Sequence, residues 1–337
     1  MTSVDWSLAE TTARRLARPG PEVTHAEAAT AVESLRAAAG RAEQLVTDVT
    51  GLEPYGEPAP VHVVDRPTWV SANVASFADL LAPLSERYST GRVTAGATGL
   101  EVGVALAYLS GRVLGQYDPY SEPAGRLLLV APNIVQAERD LGVRPADFRL
   151  WVAVHEQTHV VQFTHALAGR PWLRDHLRAR IALLLEQTDL GGELVSTAVR
   201  GLTARARGSA GDVSLMDLVT TDEQREMIGE VTAVMSLLEG HADLVMDEVG
   251  PEVIPSVALI RSRFEQRRSR GGMDRLLRAL LGLDAKLRQY RDGVAFCRAV
   301  VERTGMVGLN RVFTAPETLP RPDEIAAPDR WIARVHP

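Results

Sequence analysis

His155-Glu156-Gln157-Thr158-His159 lies inside a segment whose apolar residues recur at helical spacing. The stretch has the pattern H-E-x-x-H. Residues four positions apart lie on one face of a helix, one turn from each other. Two imidazoles at that spacing can bind one tetrahedral zinc ion, with Zn–N distances of about 2.0–2.1 Å. The pattern therefore predicts a helix that supplies two ligands to a single metal ion.

Glu156 is predicted to be the catalytic residue of this motif. It projects beside the two histidines and does not need to bind the metal itself. A carboxylate at this position can take a proton from the metal-bound water and pass it to the leaving group. The alternative is a pair of hydrogen-bonded core histidines in a helical interaction protein without a metal. That alternative is costly, because a histidine pair in an apolar helix must have its polar nitrogens satisfied.

The third metal ligand must come from another part of the chain, and the spacing favours Glu239. Glu239 and Asp243 form an E-x-x-x-D pattern late in a second predicted helix, so both carboxylates share one face. Glu239 would bind the metal. Asp243 would accept a hydrogen bond from the far nitrogen of one histidine, which would fix the tautomer of that ring.

His165 is an alternative third ligand. It has the spacing of a longer pattern, H-E-x-x-H-x-x-G-x-x-H, which is typical of metzincins. In that pattern the glycine breaks the helix and the chain turns back, whereas this sequence has Gln162 at the glycine position. We expect the helix to continue and His165 to point away from the ligand face. His241 and Asp243 are further alternatives.

The composition is that of an ordinary globular protein. The 337 residues are 45% apolar and 24% charged, with a net charge of −6. An acidic balance without a basic stripe argues against nucleic acid as a partner, and no run approaches the ~18 apolar residues of a membrane span. Cys297 is the single cysteine, so an intrachain disulfide is impossible. With no signal-peptide pattern, the expected compartment is the cytoplasm.

Local signals predict a mainly α chain. Thr24 with Glu27 three residues later is a capping-box pattern at the start of a helix. Thr220 with Glu223 is a second such pattern, and it opens the long helix that carries Glu239.

One small β-sheet is predicted alongside the helices. Residues 126–130 are the clearest strand, either at an edge where an extended substrate could pair with it or in the core. Residues 116–123 are predicted to form a loop, because they include two prolines.

The motifs resemble those of known families in two respects. H-E-x-x-H on one helix with E-x-x-x-D on a later one resembles the gluzincin site. Five motifs follow one another along the chain: Asp65-Arg66-Pro67-Thr68-Trp69-Val70, Gly115-Gln116-Tyr117-Asp118-Pro119, His155-Glu156-Gln157-Thr158-His159-Val160-Val161-Gln162-Phe163, Glu239-Gly240-His241-Ala242-Asp243 and Gln289-Tyr290-Arg291-Asp292-Gly293. From Trp6 to Trp331 the chain is similar to a bacterial family of uncharacterised zincin-like zinc metallohydrolases, some of them associated with deazaflavin coenzyme biosynthesis. The resemblance implies a zincin-like, mostly helical fold.

Together these observations predict one zincin-like domain over residues 1–337. It could have two lobes, with the H-E-x-x-H helix in 1–170 and the third ligand in 171–337. The predicted function is zinc-dependent hydrolysis of a peptide or small amide, by a metallopeptidase or amidase that uses Zn²⁺ and a water molecule. The alternative is a protein of the same fold whose zinc is structural or vestigial and which acts as a binding or scaffold module. The sequence does not determine the oligomeric state.

Overall fold

The computed structural model describes residues 4–87, 92–121, 123–187, 221–269 and 288–336. Helices make up most of these residues. In chain order they are α1 (Trp6–Leu16), α2 (His25–Thr50), α3 (Arg66–Arg87), α4 (Arg92–Ser110), α5 (Ala131–Leu141), α6 (Pro145–Thr164), α7 (Leu173–Gln187), α8 (Asp222–Val253), α9 (Val257–Ser269), α10 (Arg288–Leu309), α11 (Pro322–Ile325) and α12 (Pro328–Val335). Within the described ranges, no helix combines the length and the apolar character needed to cross a membrane.

The capping box predicted for α2 is present. The Glu27 N–H donates to the Thr24 hydroxyl oxygen at 3.2 Å, and the Thr24 N–H donates to the Glu27 carboxylate at 2.7 Å. Two of the free backbone donors at this helix start are therefore satisfied within the sequence itself.

The capping box of α8 lies one residue later than predicted. Thr221 and Gln224 form it, in place of Thr220 and Glu223. The Gln224 side-chain oxygen accepts the Thr221 N–H at 3.3 Å, as a glutamate would. The regular helix then continues past Glu239 and Asp243 to Gly250, where a positive φ of 69° interrupts it.

The sheet is mixed and has the strand order β1-β3-β2. β1 (Val61–Val64) runs parallel to β3 (Arg126–Val130), and β2 (Gly115–Asp118) runs antiparallel to β3 on its other side. The strand predicted at 126–130 is confirmed, and of its two alternative positions it takes the central one. The predicted loop at 116–123 is wrong in its first part, because pairing with β3 supplies the hydrogen bonds that make β2 a strand.

One apolar cluster joins the two predicted lobes. It includes Leu35 and Phe148 from the first and Leu237, Phe296 and Trp331 from the second, all fully buried. Helix α6 packs against α2, α8 and β2. The helix that carries H-E-x-x-H is therefore held on several sides by the largest core of the described residues.

Helices α8 and α10 cross at a pair of glycines. A Cβ added to Gly293 would lie 2.1 Å from the Ser236 carbonyl oxygen, and one added to Gly240 would lie 2.3 Å from the Gly293 carbonyl carbon. Such separations are far shorter than any non-bonded contact, so only glycine fits at either position. The backbone next to Glu239 is consequently fixed by direct contact between two helices.

Candidate metal centre

Helix α6 brings His155 and His159 together. Pro145 occupies the first turn of the helix, where a backbone N–H would have no partner within the helix, so proline costs no hydrogen bond there. Ten residues later the two imidazoles lie one turn apart, with ring centroids separated by 4.8 Å and ring planes nearly perpendicular. Their Nε2 atoms are 3.2 Å apart. Both Nε2 atoms therefore face one shared point beside the helix.

Helix α8 brings Glu239 to the same point. Its carboxylate oxygens lie 3.4 Å from His155 Nε2 and 3.8 Å from His159 Nε2. A tetrahedral zinc ion with bonds of about 2.0–2.1 Å holds its ligand atoms roughly 3.3 Å apart. Among the described residues these three side chains form the group whose ligand atoms all lie within 4.8 Å of one another. The donor set and its spacing thus fit a metal ion.

His165 is not part of this group. Helix α6 continues through Gln162 as expected, and His165 lies just beyond its end, buried against the Phe313 ring. His165 Nδ1 accepts a hydrogen bond from the Leu167 N–H at 3.3 Å. Burial lowers the pKa of His165 to about 4, which indicates a neutral core histidine.

Glu156 lies beside the histidines, pressed against strand β2. Its carboxylate accepts a hydrogen bond from the Tyr117 N–H, and burial raises its pKa to about 7 despite the nearby His155. A Cβ added to Gly115 would lie 2.5 Å from Glu156 Cγ, so this glycine allows the strand to approach. A carboxyl group that exchanges its proton near neutral pH has the property that a general base requires.

Within the described ranges, strand β2 lies at the edge of the sheet, and its outer side faces Glu156. The Val130 N–H donates to the Leu114 carbonyl at 2.8 Å, which sets the alternation of hydrogen bonds between β2 and β3. Gly115 and Tyr117 then direct their backbone groups away from β3. The hydrogen bond from Tyr117 to Glu156 agrees with this orientation. The sheet edge and the carboxylate are therefore parts of one surface.

Comparison with known proteins decides the family. A family model described as zincin-like metallopeptidase matches residues 4–332. The chain belongs to the zincin-like metallopeptidase family. It is also similar to the crystal structure of "a putative hydrolase with a novel fold" from Chloroflexus aurantiacus, with 33% identity over 99% of both chains and a TM-score of 0.73. No curated protein sequence matches the chain.

These matches confirm the predicted fold class, mainly α with a small sheet in a zincin-like arrangement. At a coarse level they also support a hydrolase, and membership of the zincin-like family implies a metal. Polar groups from three elements lie close together in this chain. The elements are the H-E-x-x-H helix, the later E-x-x-x-D helix and the edge of the sheet.

The far nitrogens of the two histidines do not face Asp243, contrary to the sequence-based prediction. His159 Nδ1 lies 2.9 Å from Gln162 Oε1, and His155 Nδ1 lies 3.2 Å from Met246 Sδ. Gln162 is one turn after His159 on α6, and Met246 is one turn after Asp243 on α8. These two side chains, rather than Asp243, contact the Nδ1 atoms of His159 and His155. Asp243 instead lines a cavity that also contains His155 and Glu156.

Sequence reasoning missed both of these partners. A signal for Gln162 existed, because it is a polar residue one turn from a predicted ligand within an apolar run. Met246 gave no such signal, since a methionine on a core-facing helix ordinarily fills space.

Charge is distributed unevenly between the two histidines. Burial lowers the pKa of His155, but the hydrogen bond and negative charge of Glu239 outweigh it and raise the pKa to about 9. Burial lowers the pKa of His159. His155 is thus the imidazole that carries the proton opposite Glu239. A metal binds only the neutral imidazole and must displace that proton.

Proposed function

We propose that this chain is a zinc-dependent hydrolase that cleaves an amide bond, most directly a peptide bond. The observation that carries the proposal is the convergence of His155 Nε2, His159 Nε2 and the Glu239 carboxylate at separations of 3.2–3.8 Å. These three side chains would hold the zinc. Three protein ligands leave a fourth position for water or substrate, as catalytic zinc sites do.

Zinc in such a site lowers the pKa of a bound water to about 7 and polarises a carbonyl group. Glu156 accepts the proton of the attacking water on a carboxylate oxygen and transfers it to the leaving nitrogen. The Tyr117 N–H keeps that carboxylate in place throughout. The raised pKa of Glu156 suits both steps, because the group must first take a proton and then give it up.

The substrate proposed for this site is a peptide or a small amide. An extended peptide can add to a free strand edge through backbone hydrogen bonds. The backbone N–H and carbonyl of Gly115 and the carbonyl of Tyr117 point outward next to Glu156 and are the groups proposed to pair with such a peptide, since the Tyr117 N–H is bonded to Glu156. Tyr117 also lines a second cavity, together with Phe163 and Thr164 at the end of α6, and we propose that this cavity takes a substrate side chain.

The test combines metal analysis with a peptide-library cleavage assay, with and without a chelator. We expect stoichiometric zinc and chelator-sensitive cleavage. Glu156→Gln should retain zinc but lower kcat by about 10²–10⁴-fold, the usual contribution of a general base. Glu138→Gln is the matched control, because Glu138 is another buried carboxylate, paired with Arg149 away from the site. It should lower thermal stability and leave the hydrolysis rate unchanged.

Two results would contradict the proposal. Bound zinc with four protein ligands and no cleavage would favour a structural or vestigial metal. Protein that binds no zinc, with no thermal shift on zinc addition, would favour a helical interaction protein with core histidines.

A further inference from the structure

Gln162 connects the two helices of the metal site. It is completely buried on α6 and contacts three groups. Its Oε1 lies 2.9 Å from His159 Nδ1, while its Nε2 lies 2.8 Å from the Leu238 carbonyl oxygen and 3.0 Å from His241 Nδ1. Leu238 and His241 belong to α8 and flank Glu239. One side chain therefore joins a proposed ligand on α6 to the backbone beside a proposed ligand on α8.

The Leu238 carbonyl fixes the direction of every hydrogen bond in this network. A carbonyl oxygen only accepts, so it must face the Gln162 amino group rather than the amide oxygen. The amide oxygen then faces His159 Nδ1, which must carry the proton. The lone pair of His159 is left on Nε2, the atom that faces His155 and Glu239.

The same network leaves one donor without a partner. The second amino hydrogen of Gln162 faces His241 Nδ1, so the proton of His241 is on Nε2. That atom is buried and has no hydrogen-bond partner in the described part of the chain, where the ring lies edge-on to Phe313. An unpaired buried donor lowers the stability of the folded protein. The unpaired N–H of His241 is thus a consequence of the amide orientation of Gln162, the same orientation that places the His159 proton on Nδ1.

We propose that Gln162 is a positioning residue of the metal site. It holds His159 in the tautomer that presents Nε2 to the metal, and it ties that ring to α8 next to Glu239. In this way it supplies the far-nitrogen partner that a carboxylate supplies in many zinc sites. The proposal rests on the proposed zinc site and concerns metal affinity and tautomer, which do not depend on the substrate.

His155 provides an internal comparison. Its far nitrogen faces Met246 Sδ, and a thioether is only a weak acceptor. Gln162 should therefore matter more to the metal than Met246 does. Met246→Leu removes the weaker contact with little change of volume.

The test measures zinc affinity by chelator competition and reads the His159 tautomer by NMR of ¹⁵N-labelled histidine. Gln162→Met should weaken zinc binding by about 10–100-fold, the usual effect of losing such a partner. Gln157→Met is the matched control, because Gln157 is a buried glutamine on the same helix that donates to the Ala39 carbonyl, away from the histidines. Its zinc affinity, and that of Met246→Leu, should change by less than about threefold.

Gln162→Glu tests the hydrogen bond itself, since it restores an acceptor for His159 while losing the donor to Leu238. We expect it to recover part of the affinity lost in Gln162→Met. Equal zinc affinities of these two variants would overturn the proposal, as would equal losses in Gln162→Met and Gln157→Met.

The wild-type protein decides the matter if the variants do not fold. His159 should carry its proton on Nδ1 both without zinc and with zinc bound. A proton on Nε2, or zinc bound through Nδ1, would overturn the role of Gln162. A zinc-loaded wild-type protein that cleaves no peptide would instead refute the proposed hydrolase function and leave these measurements valid.

Discussion

The two sides of helix α6 support the site in different ways. On the α8 side, Gln162 and the close helix crossing hold the backbone around Glu239 rigidly. On the β2 side, the Tyr117 N–H binds the Glu156 carboxylate, and Gly115 has no side chain that would displace it. In the proposed function, the α8 side sets the positions of the metal ligands, and the β2 side sets the position of the general base. Mutations on the two sides should therefore separate metal binding from turnover.

The largest effect is expected on the α8 side, at Glu239. Glu239→Ala removes a proposed ligand and should weaken zinc binding by more than about 100-fold, beyond the usual loss for a ligand's hydrogen-bond partner. Chelator competition measures the change. His165→Ala is the control for the alternative third ligand, and it should keep wild-type zinc affinity. Wild-type zinc affinity in Glu239→Ala together with a large loss in His165→Ala would identify His165 as the third ligand.

The next effect is expected on the β2 side. Gly115→Ala places a methyl group against Glu156 and should lower kcat by about 100-fold, because small displacements of a catalytic group are costly. Zinc affinity should stay at the wild-type value. Gly111→Ala is the control, since a Cβ there meets no atom within 4 Å. Loss of zinc in Gly115→Ala would show that the two sides are not separable.

A smaller effect, on folding, is expected at the helix crossing. Gly293→Ala overpacks α10 against α8 and should lower the free energy of unfolding by about 1–3 kcal/mol. Denaturant titration measures it. Gly40→Ala in α2 is the control, because its Cβ would have open space. That substitution should leave stability unchanged or raise it. Equal stabilities of the two variants would show that the crossing is looser than described.

The smallest effect is expected at Asp243. The far nitrogens of both histidines have other partners, so Asp243→Asn should change zinc affinity by less than about threefold, below the range for a true ligand partner. A larger loss in Asp243→Asn than in Gln162→Met would restore the role that the E-x-x-x-D pattern predicts for this carboxylate.

The α6 half of the site follows from the sequence, because its information is local. The spacing of His155 and His159 defines one helix face, and Glu156 takes its position from the same helix. Glu239 could be selected as well, because its helix has a recognisable pattern. Local signals also predict strand β3 and the mainly α composition, whereas the zincin-like arrangement is implied by the family resemblance.

The remaining features depend on contacts between distant segments. Gly115 to Asp118 form a strand because β3 lies beside them, and nothing in four residues before a proline predicts that neighbour. Gln162 could be noticed as polar, but its three partners depend on how α8 packs on α6. Asp243 was assigned by spacing, whereas which side chain reaches an imidazole nitrogen depends on the rotation of the helix.

In the proposed site, α6 and α8 converge on a single metal ion. Anomalous diffraction at the zinc edge, from crystals of the zinc-loaded protein, would locate that ion and identify its ligands. The predicted result is one ion bound by His155 Nε2, His159 Nε2 and the Glu239 carboxylate, with a fourth position open to water. An ion bound elsewhere, or one without Glu239 among its ligands, would rule out this site.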